Sequence, residues 1–212
     1  MEQLDQLMAE FLQMGEDVEK VVNRSIEALV KRNYQDALKV INEDDLIDNR
    51  QIVIEEKIAK LLSENNLPRK TLRTSLSILK LANDLERVGD YATNIAEIVL
   101  ELKNEEYIKP LIHIPQLASL ALNMLEVSLK AFVEGNSDLA EAVCRKDENA
   151  DNMYEEIYDE LSLLLTDLKD VKAARQAIRF HMIARFLERI ADHATNIGEE
   201  TILINTGKRV KY

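Results

Sequence analysis

The chain has no tryptophan, one cysteine, three prolines, three histidines and only five glycines in 212 residues. Each scarcity excludes something. A lone Cys144 rules out an intrachain disulfide, as suits a reducing cytosol. Few glycines and prolines leave little turn material, and the dominance of Leu, Ala, Glu, Lys and Ile predicts an all-helical chain. Basic residues are too few for nucleic acid: 27 Lys and Arg against 39 Asp and Glu give a formal charge of −12, and no basic block interrupts it. No apolar run approaches the roughly 20 residues of a membrane span. The N-terminus, Met1-Glu2-Gln3-Leu4-Asp5, is acidic, unlike a signal peptide. There is no Gly-rich phosphate loop, no Ser/His/Asp set and no nucleophile elbow, so no enzyme is expected. With 46% hydrophobic residues a sizeable core is available. These observations together predict a soluble cytoplasmic helical protein.

What the chain does have is a repeat. Leu85-Glu86-Arg87-Val88-Gly89-Asp90-Tyr91-Ala92-Thr93-Asn94-Ile95-Ala96-Glu97 recurs as Leu187-Glu188-Arg189-Ile190-Ala191-Asp192-His193-Ala194-Thr195-Asn196-Ile197-Gly198-Glu199, at an offset of 102. Charged and polar positions match as well as apolar ones, which helical periodicity alone does not require. A second match aligns Asp44-Asp45-Leu46-Ile47-Asp48-Asn49 with Asp147-Glu148-Asn149-Ala150-Asp151-Asn152, at an offset of 103. The chain is an internal duplication.

Breakers divide it into six helical stretches in two sets of three: about 3–32, 34–62 and 69–102, then 116–134, 138–168 and 170–203. Ser63 to Pro68 is expected as a turn, Ser137 as an N-cap, and Pro110 and Pro115 bracket a linker. The domain reading is a first bundle at 1–104, a linker at 105–114 and a second bundle at 115–212. Each set is long enough for an antiparallel three-helix bundle.

Residues three and four apart share a helix face. Leu72, Leu76, Leu79, Asn83, Glu86, Asp90, Asn94 and Glu97 form one such seam, apolar at its start and acidic midway. Leu81, Leu85, Val88, Ala92, Ile95 and Val99 form a second stripe opposite it, so the start of the helix is apolar on two sides and the seam is expected to lie against something. In an antiparallel hairpin, facing residues share a midpoint. Asp48 with Glu86 and Asp44 with Asp90 share residue 67; Asp151 with Glu188 and Asp147 with Asp192 share the junction of residues 169 and 170. Four carboxylates are therefore expected to converge twice.

Such crowding calls for a counter-charge. Oxygen-only ligation suits a hard cation such as Mg²⁺, Ca²⁺, Mn²⁺ or iron. A diiron-carboxylate centre of the E-x-x-H kind is disfavoured, because none of His113, His181 and His193 follows a Glu by three. A single E-x-x-x-D in so acidic a chain reads best as a solvated face; the repetition and matched level favour a site. Asn94, Asn196, Thr93 and Thr195 are read as interhelix hydrogen-bonders, and Arg87 and Arg189 as structural partners of nearby acids. His181, His193 and Cys144 are read as packing residues.

At these motifs the sequence resembles the PhoU family, across essentially its whole length. The resemblance implies two tandem antiparallel three-helix bundles carrying metal clusters of iron or zinc. It implies a cytoplasmic negative regulator of phosphate uptake and of the phosphate-starvation response. The partners it implies are subunits of the phosphate ABC transporter and a membrane sensor kinase, in a homodimer that meets the membrane only through them. The metal ligands it implies are Glu86, Asp90, Glu188 and Asp192, faced by Asp44, Asp48, Asp147 and Asp151. Tyr91 against His193 marks a difference between the copies. The rival readings are a metal-free scaffold, a PhoU-like paralogue serving another transporter, and a metal-dependent hydrolase or oxidase.

Overall fold

A computed structural model describes residues 2–63, 67–167 and 170–212. Its described elements are helices: α1 (Glu2–Lys31), α2 (Tyr34–Asn42), α3 (Asp44–Leu62), α4 (Arg69–Glu101), α5 (His113–Glu134), α6 (Ser137–Cys144), α7 (Asp147–Asp167) and α8 (Val171–Thr206). The fold is all-α, two tandem three-helix bundles, with α1, α2–α3 and α4 in one and α5, α6–α7 and α8 in the other. The centre of the expected turn at 64–66 and the expected break at 168–169 lie outside the described residues.

The middle helix of each bundle is not continuous, as the sequence pattern suggested, but broken just ahead of its acids. Glu43 closes α2 and opens α3, and Arg145 and Lys146 separate α6 from α7. Charge explains the position. A helix C-terminus favours cations and an N-terminus anions. Arg145-Lys146 is followed at once by Asp147-Glu148, and Lys39 in the last turn of α2 precedes Asp44-Asp45 in the first turn of α3. Asp44 and Asp147 thus begin new helices whose backbone dipoles favour their negative charge.

Other ends follow local chemistry. Asn33 and Asn136 are the N-caps of α2 and α6, their side chains accepting from Gln35 and Asp36 N–H and from Leu139 N–H. The cap is therefore Asn136 rather than the expected Ser137. Helix α5 begins three residues before the expected Gln116, because Pro115 in the first turn forfeits only an N–H without an intrahelical partner. Arg32 and Gly135 occupy equivalent positions and both adopt positive φ, 54° and 62°.

The stripe Leu81, Leu85, Val88, Ala92, Ile95 and Val99 is fully buried, as its spacing requires. The bundles pack along two seams, α4 against α8 and α1 against α5, and their apolar interiors join into one cluster. Phe11 meets Phe132 edge to face at 5.2 Å. Across α4 and α8, Tyr91 stacks on Phe186 at 5.7 Å, while Asp84 Oδ1 lies 3.0 Å from His193 Nδ1. The repeat relates position 84 to 186 and 91 to 193, so these contacts are the same place seen twice: an aromatic stack on one side, a buried Asp–His contact on the other. The segment between the bundles is stapled to both. Tyr107 Oη donates to Leu29 O, and Ile108 N–H donates to Gln176 Oε1.

Two glycines set how closely the middle helix approaches the long one. A Cβ on Gly198 would stand 2.7 Å from Cys144 Sγ and 3.1 Å from the Ala140 carbonyl oxygen; one on Gly89 would stand 2.8 Å from Ile47 Cδ1. Backbone cannot yield as a side-chain tip can. Gly198→Ala should therefore cost about 1–3 kcal/mol through overpacking. Gly89→Ala should be close to neutral, because Ile47 can turn aside and alanine gains about 1 kcal/mol of helix propensity. Thermal melts check this; equal losses in the two variants would contradict it.

Candidate metal centre

The long helices α4 and α8 carry the E-x-x-x-D acids on the side opposite the buried stripe, and α3 and α7 bring the facing acids to them. In the first copy, Glu86 feels the charges of Asp90, Asp48 and Asp44, and Asp90 feels those of Asp44 and Asp48. In the second, Asp192 feels Asp147 and Asp151, and Glu188 feels Asp192 and Asp151. All eight sequence-predicted acids thus fall into two groups of four, one per bundle. Matched bonds tie each group across the hairpin: Thr93 Oγ1 donates to Asp44 Oδ1 and Thr195 Oγ1 to Asp147 Oδ1, both at 2.9 Å.

The groups are not equally tight. One oxygen from each of Asp151, Glu188 and Asp192 lies within 4.8 Å of the others, the one such trio among the described residues. That separation fits carboxylates around a single hard cation or a small cluster. Glu188 is buried, and its Oε2 has no hydrogen-bond partner although its Oε1 accepts from Arg185 at 2.5 Å. A buried carboxylate oxygen without a donor is costly. A metal ion in the trio would satisfy it, so the residues present fit the group.

Burial dominates the electrostatics. It raises the Glu188 carboxyl to about 7, with Asp192 pushing the same way and Arg185 opposing. Asp192 is also raised, by burial and then by Asp147 and Asp151; Asp147 is raised by burial although its bond from Thr195 opposes the shift. In the first copy burial raises Glu86, Asp90 and Asp48, each helped by its acidic neighbours. Both groups therefore hold protons more readily than free carboxylates do. A bound cation would compete with those protons.

Several readings of single residues are refined. The threonine hydroxyls carry the interhelix bonds expected of the Thr-Asn pairs; Asn94 and Asn196 make none among the described residues. Arg189 lies over the Tyr91 ring at 5.9 Å, across the seam between bundles. Arg87 still offsets the charge of Glu86 and Asp90, and Arg189 that of Glu188, but the arginine bonded to the site is Arg185, three residues before Glu188, a spacing at which an ion pair could have been anticipated. His193 is buried against Asp84, a contact between halves that the repeat motif does not announce. His181 lies between the rings of Tyr154 and Tyr158, at 5.7 and 5.3 Å. Cys144 is buried with its S–H toward Thr195 O, its thiol pushed up to about 12 by burial and then by Glu199 and Asp147. Leu72 and Leu76, expected to lie against another surface, are 41% and 48% exposed.

A duplicated helical protein with one carboxylate cluster per bundle is the class that fold and geometry define. The family model described as "PhoU domain" matches twice, at residues 11–99 and 114–201. A phosphate-specific transport system accessory protein PhoU homolog of Clostridium acetobutylicum is 35% identical over 208 residues, covering 98% of this chain and 94% of its own. The Pseudomonas aeruginosa homolog is 31% identical, covering 99% and 86%. Among solved structures, PhoU from P. aeruginosa superposes with a TM-score of 0.92 at 30% identity, covering 97% of this chain and 98% of that one. The phosphate transport system regulatory protein PhoU from Streptococcus pneumoniae gives 0.89 at 31%, covering 99% and 98%. The chain belongs to the PhoU family.

The raised Glu188 carboxyl makes a pH prediction. Its folded-state pKa of about 7 exceeds the ordinary glutamate value of about 4.5, so proton binding favours the folded chain. That contribution is complete below about 4.5 and lost as pH rises through about 7. In chelator, Glu188→Gln should therefore melt several degrees above wild type at pH 8, with the difference shrinking steadily toward pH 5. A difference independent of pH would contradict the assignment.

Proposed function

We propose that this chain is a non-enzymatic, metal-binding cytoplasmic regulator of phosphate uptake. It holds the phosphate-starvation response off when phosphate is plentiful, linking the phosphate ABC transporter to a membrane sensor kinase. Residues 1–104 and 115–212 act as the two bundles, 105–114 as their linker, and the working form is a homodimer. Family membership supports the phosphate role, since relatives are named as accessory or regulatory proteins of phosphate transport. Among the described residues no helix is long and apolar enough to cross a membrane, in keeping with reaching it through partners.

The observation that carries the metal reading is the Asp151, Glu188 and Asp192 trio around a buried carboxylate oxygen without a donor. The donor set is oxygen alone. It favours iron, Mn²⁺, Mg²⁺ or Ca²⁺ over zinc, which prefers nitrogen and sulfur. The nearby candidates for those softer ligands are engaged elsewhere: His193 faces Asp84, and Cys144 is buried against Thr195. When bound, the cation would supply charge neutralisation. Glu188 and Asp192 on α8 with Asp151 on α7 would hold it, and Thr195 keeps Asp147 oriented beside them. The cation would thereby bind the two long helices of the second hairpin together.

Replacing Glu188 with Gln and Asp192 with Asn keeps size and helix pattern while removing two charges. Helicity should survive, and metal content, read by mass spectrometry on protein purified without chelator, should fall. The metal-dependent rise in melting temperature should shrink with it, since a ligand bound only by the native state stabilises by mass action. Cells carrying the variant should express phosphate-uptake genes in phosphate-rich medium. Unchanged metal content would refute the site, whereas normal repression despite lost metal would refute its regulatory role.

A further inference from the structure

The seam that opens α4 is left uncovered by the fold. Leu72 and Leu76, one turn apart, are 41% and 48% exposed. A cleft of about 300 Å³ lies beside them, lined also by Arg69, Arg73, Ser77 and Glu200. A second, of about 330 Å³, shares Arg69 and Arg73 with it and reaches Ile204 near the end of α8. Beyond Glu200 a third continues between Lys80, Arg209 and Lys211. From Arg69 to Lys80 the sequence holds four cations and no acid, in a chain of formal charge −12. Among the described residues Arg69, Lys70 and Arg73 form no ion pair. Glu200, the carboxylate of the first cleft, is already engaged: Ser77 Oγ donates to its Oε1 at 2.6 Å and Lys80 Nζ to its Oε2 at 3.0 Å. The cations also run against helix electrostatics. Helices α2, α3, α6 and α7 each carry acid in the first turn, as a helix N-terminus prefers. Helix α4 carries none and opens on Arg69-Lys70, with Pro68 as a cap that offers no side-chain acceptor. A stretch that breaks the local rule, keeps its charges unpaired and leaves leucine in water is shaped for something outside the chain.

We propose that this groove is a docking site for an acidic amphipathic helix of a partner protein. Charge complementarity selects the partner: unpaired cations beside two exposed leucines match apolar residues three or four apart flanked by Glu or Asp. A helix is the form that fits, because the described elements are all helices and offer no sheet edge for strand addition. Its apolar residues would cover Leu72 and Leu76, and its carboxylates would meet Arg69, Lys70 and Arg73. A second copy of this chain fits worse, since a two-fold contact through the groove would set Arg69 and Arg73 against their own counterparts. An anionic bilayer also fits worse, because a flat surface that reaches the groove meets the rest of a −12 protein as well. The duplication repeats the pattern in weaker form. Lys172, Arg175 and exposed Ile178 stand where α4 has Lys70, Arg73 and Leu76. There Ala174 replaces Leu72 and Val171 replaces Arg69, so an apolar anchor and a cation are both missing. Helices α4 and α8 run antiparallel, with Ser77 beside Glu200 and Asp84 beside His193, so this weaker start lies at the other end of the pair. Docking in the groove needs neither the metal nor the phosphate role and is independent of both.

The test is selection, on the full chain, from a displayed library of helical peptides of about 18 residues. Leu is fixed at positions three and four apart, and the flanking positions vary among Glu, Gln and Lys. Recovered sequences should be rich in Glu, and single labelled peptides then give affinities by fluorescence anisotropy. Arg69→Glu with Arg73→Glu should weaken binding about tenfold or more, and so should Leu72→Ser with Leu76→Ser. Lys172→Glu with Arg175→Glu, at the weaker start, should change it by less than about twofold. Raising salt from about 0.05 to about 0.5 M should weaken binding through screening. All these positions are exposed, so each variant should keep its cooperative melt, which establishes that it is folded. Failure to recover acidic binders, or binding unmoved by either groove variant, would overturn the proposal. Flotation of wild type, but not of Arg69→Glu with Arg73→Glu, on phosphatidylglycerol–phosphatidylcholine vesicles would give the groove to a membrane and overturn it equally. Self-association in sedimentation velocity that Leu72→Ser with Leu76→Ser abolishes would give it to a second copy, with the same consequence.

Discussion

The structure depends on the crowding of four carboxylates at each hairpin. Like charges a helical turn apart repel modestly in water, but more strongly when burial excludes water. Burial is unavoidable here, because the long helix that carries Glu86 and Asp90, or Glu188 and Asp192, is also the wall of the core. Leu85 and Val88 are fully buried on one side of α4, and Glu86 and Asp90 lie between and beyond them in sequence. Packing the stripe drags the acids toward the facing helix. The raised carboxyl groups record that tension between hydrophobic gain and electrostatic cost.

Several features of the fold relieve it. Breaking the middle helix places Asp44 and Asp147 at helix starts, where aligned backbone dipoles favour a negative charge. Threonine hydroxyls donate to those same carboxylates. In the second bundle Arg185 adds a full positive charge. None of these satisfies the buried Glu188 oxygen, which the proposed cation would reach. Local capping, hydrogen bonding and the proposed metal are thus successive answers to one constraint, and they are answered differently in the two halves.

The sequence revealed much of this because the duplication acts as a control. Matching Glu, Arg, Asp and Asn in two copies separated a repeated polar pattern from helical period, and the shared hairpin midpoints placed the acids of each bundle together without coordinates. The break before Asp44 was harder to see, since Asn42-Glu43-Asp44 contains neither glycine nor proline. Its cause is a change in helix-end electrostatics, which leaves no breaker residue. Arg185 was overlooked for a similar reason. It belongs to the acidic seam by spacing, but its guanidinium also lies over the ring of Tyr154 from another helix. The Asp84 and His193 contact joins residues more than 100 positions apart and follows only from how α4 crosses α8. Exposed Leu72 and Leu76 show the opposite error, an apolar seam that the chain itself does not cover.

The most direct test of the central claim is a crystal structure of protein purified without chelator, with anomalous diffraction collected on both sides of the iron and manganese edges. The account predicts an anomalous peak bounded by Asp151, Glu188 and Asp192, with one Glu188 oxygen turned to it. Well-ordered carboxylates at full metal content with no anomalous peak among them would contradict it.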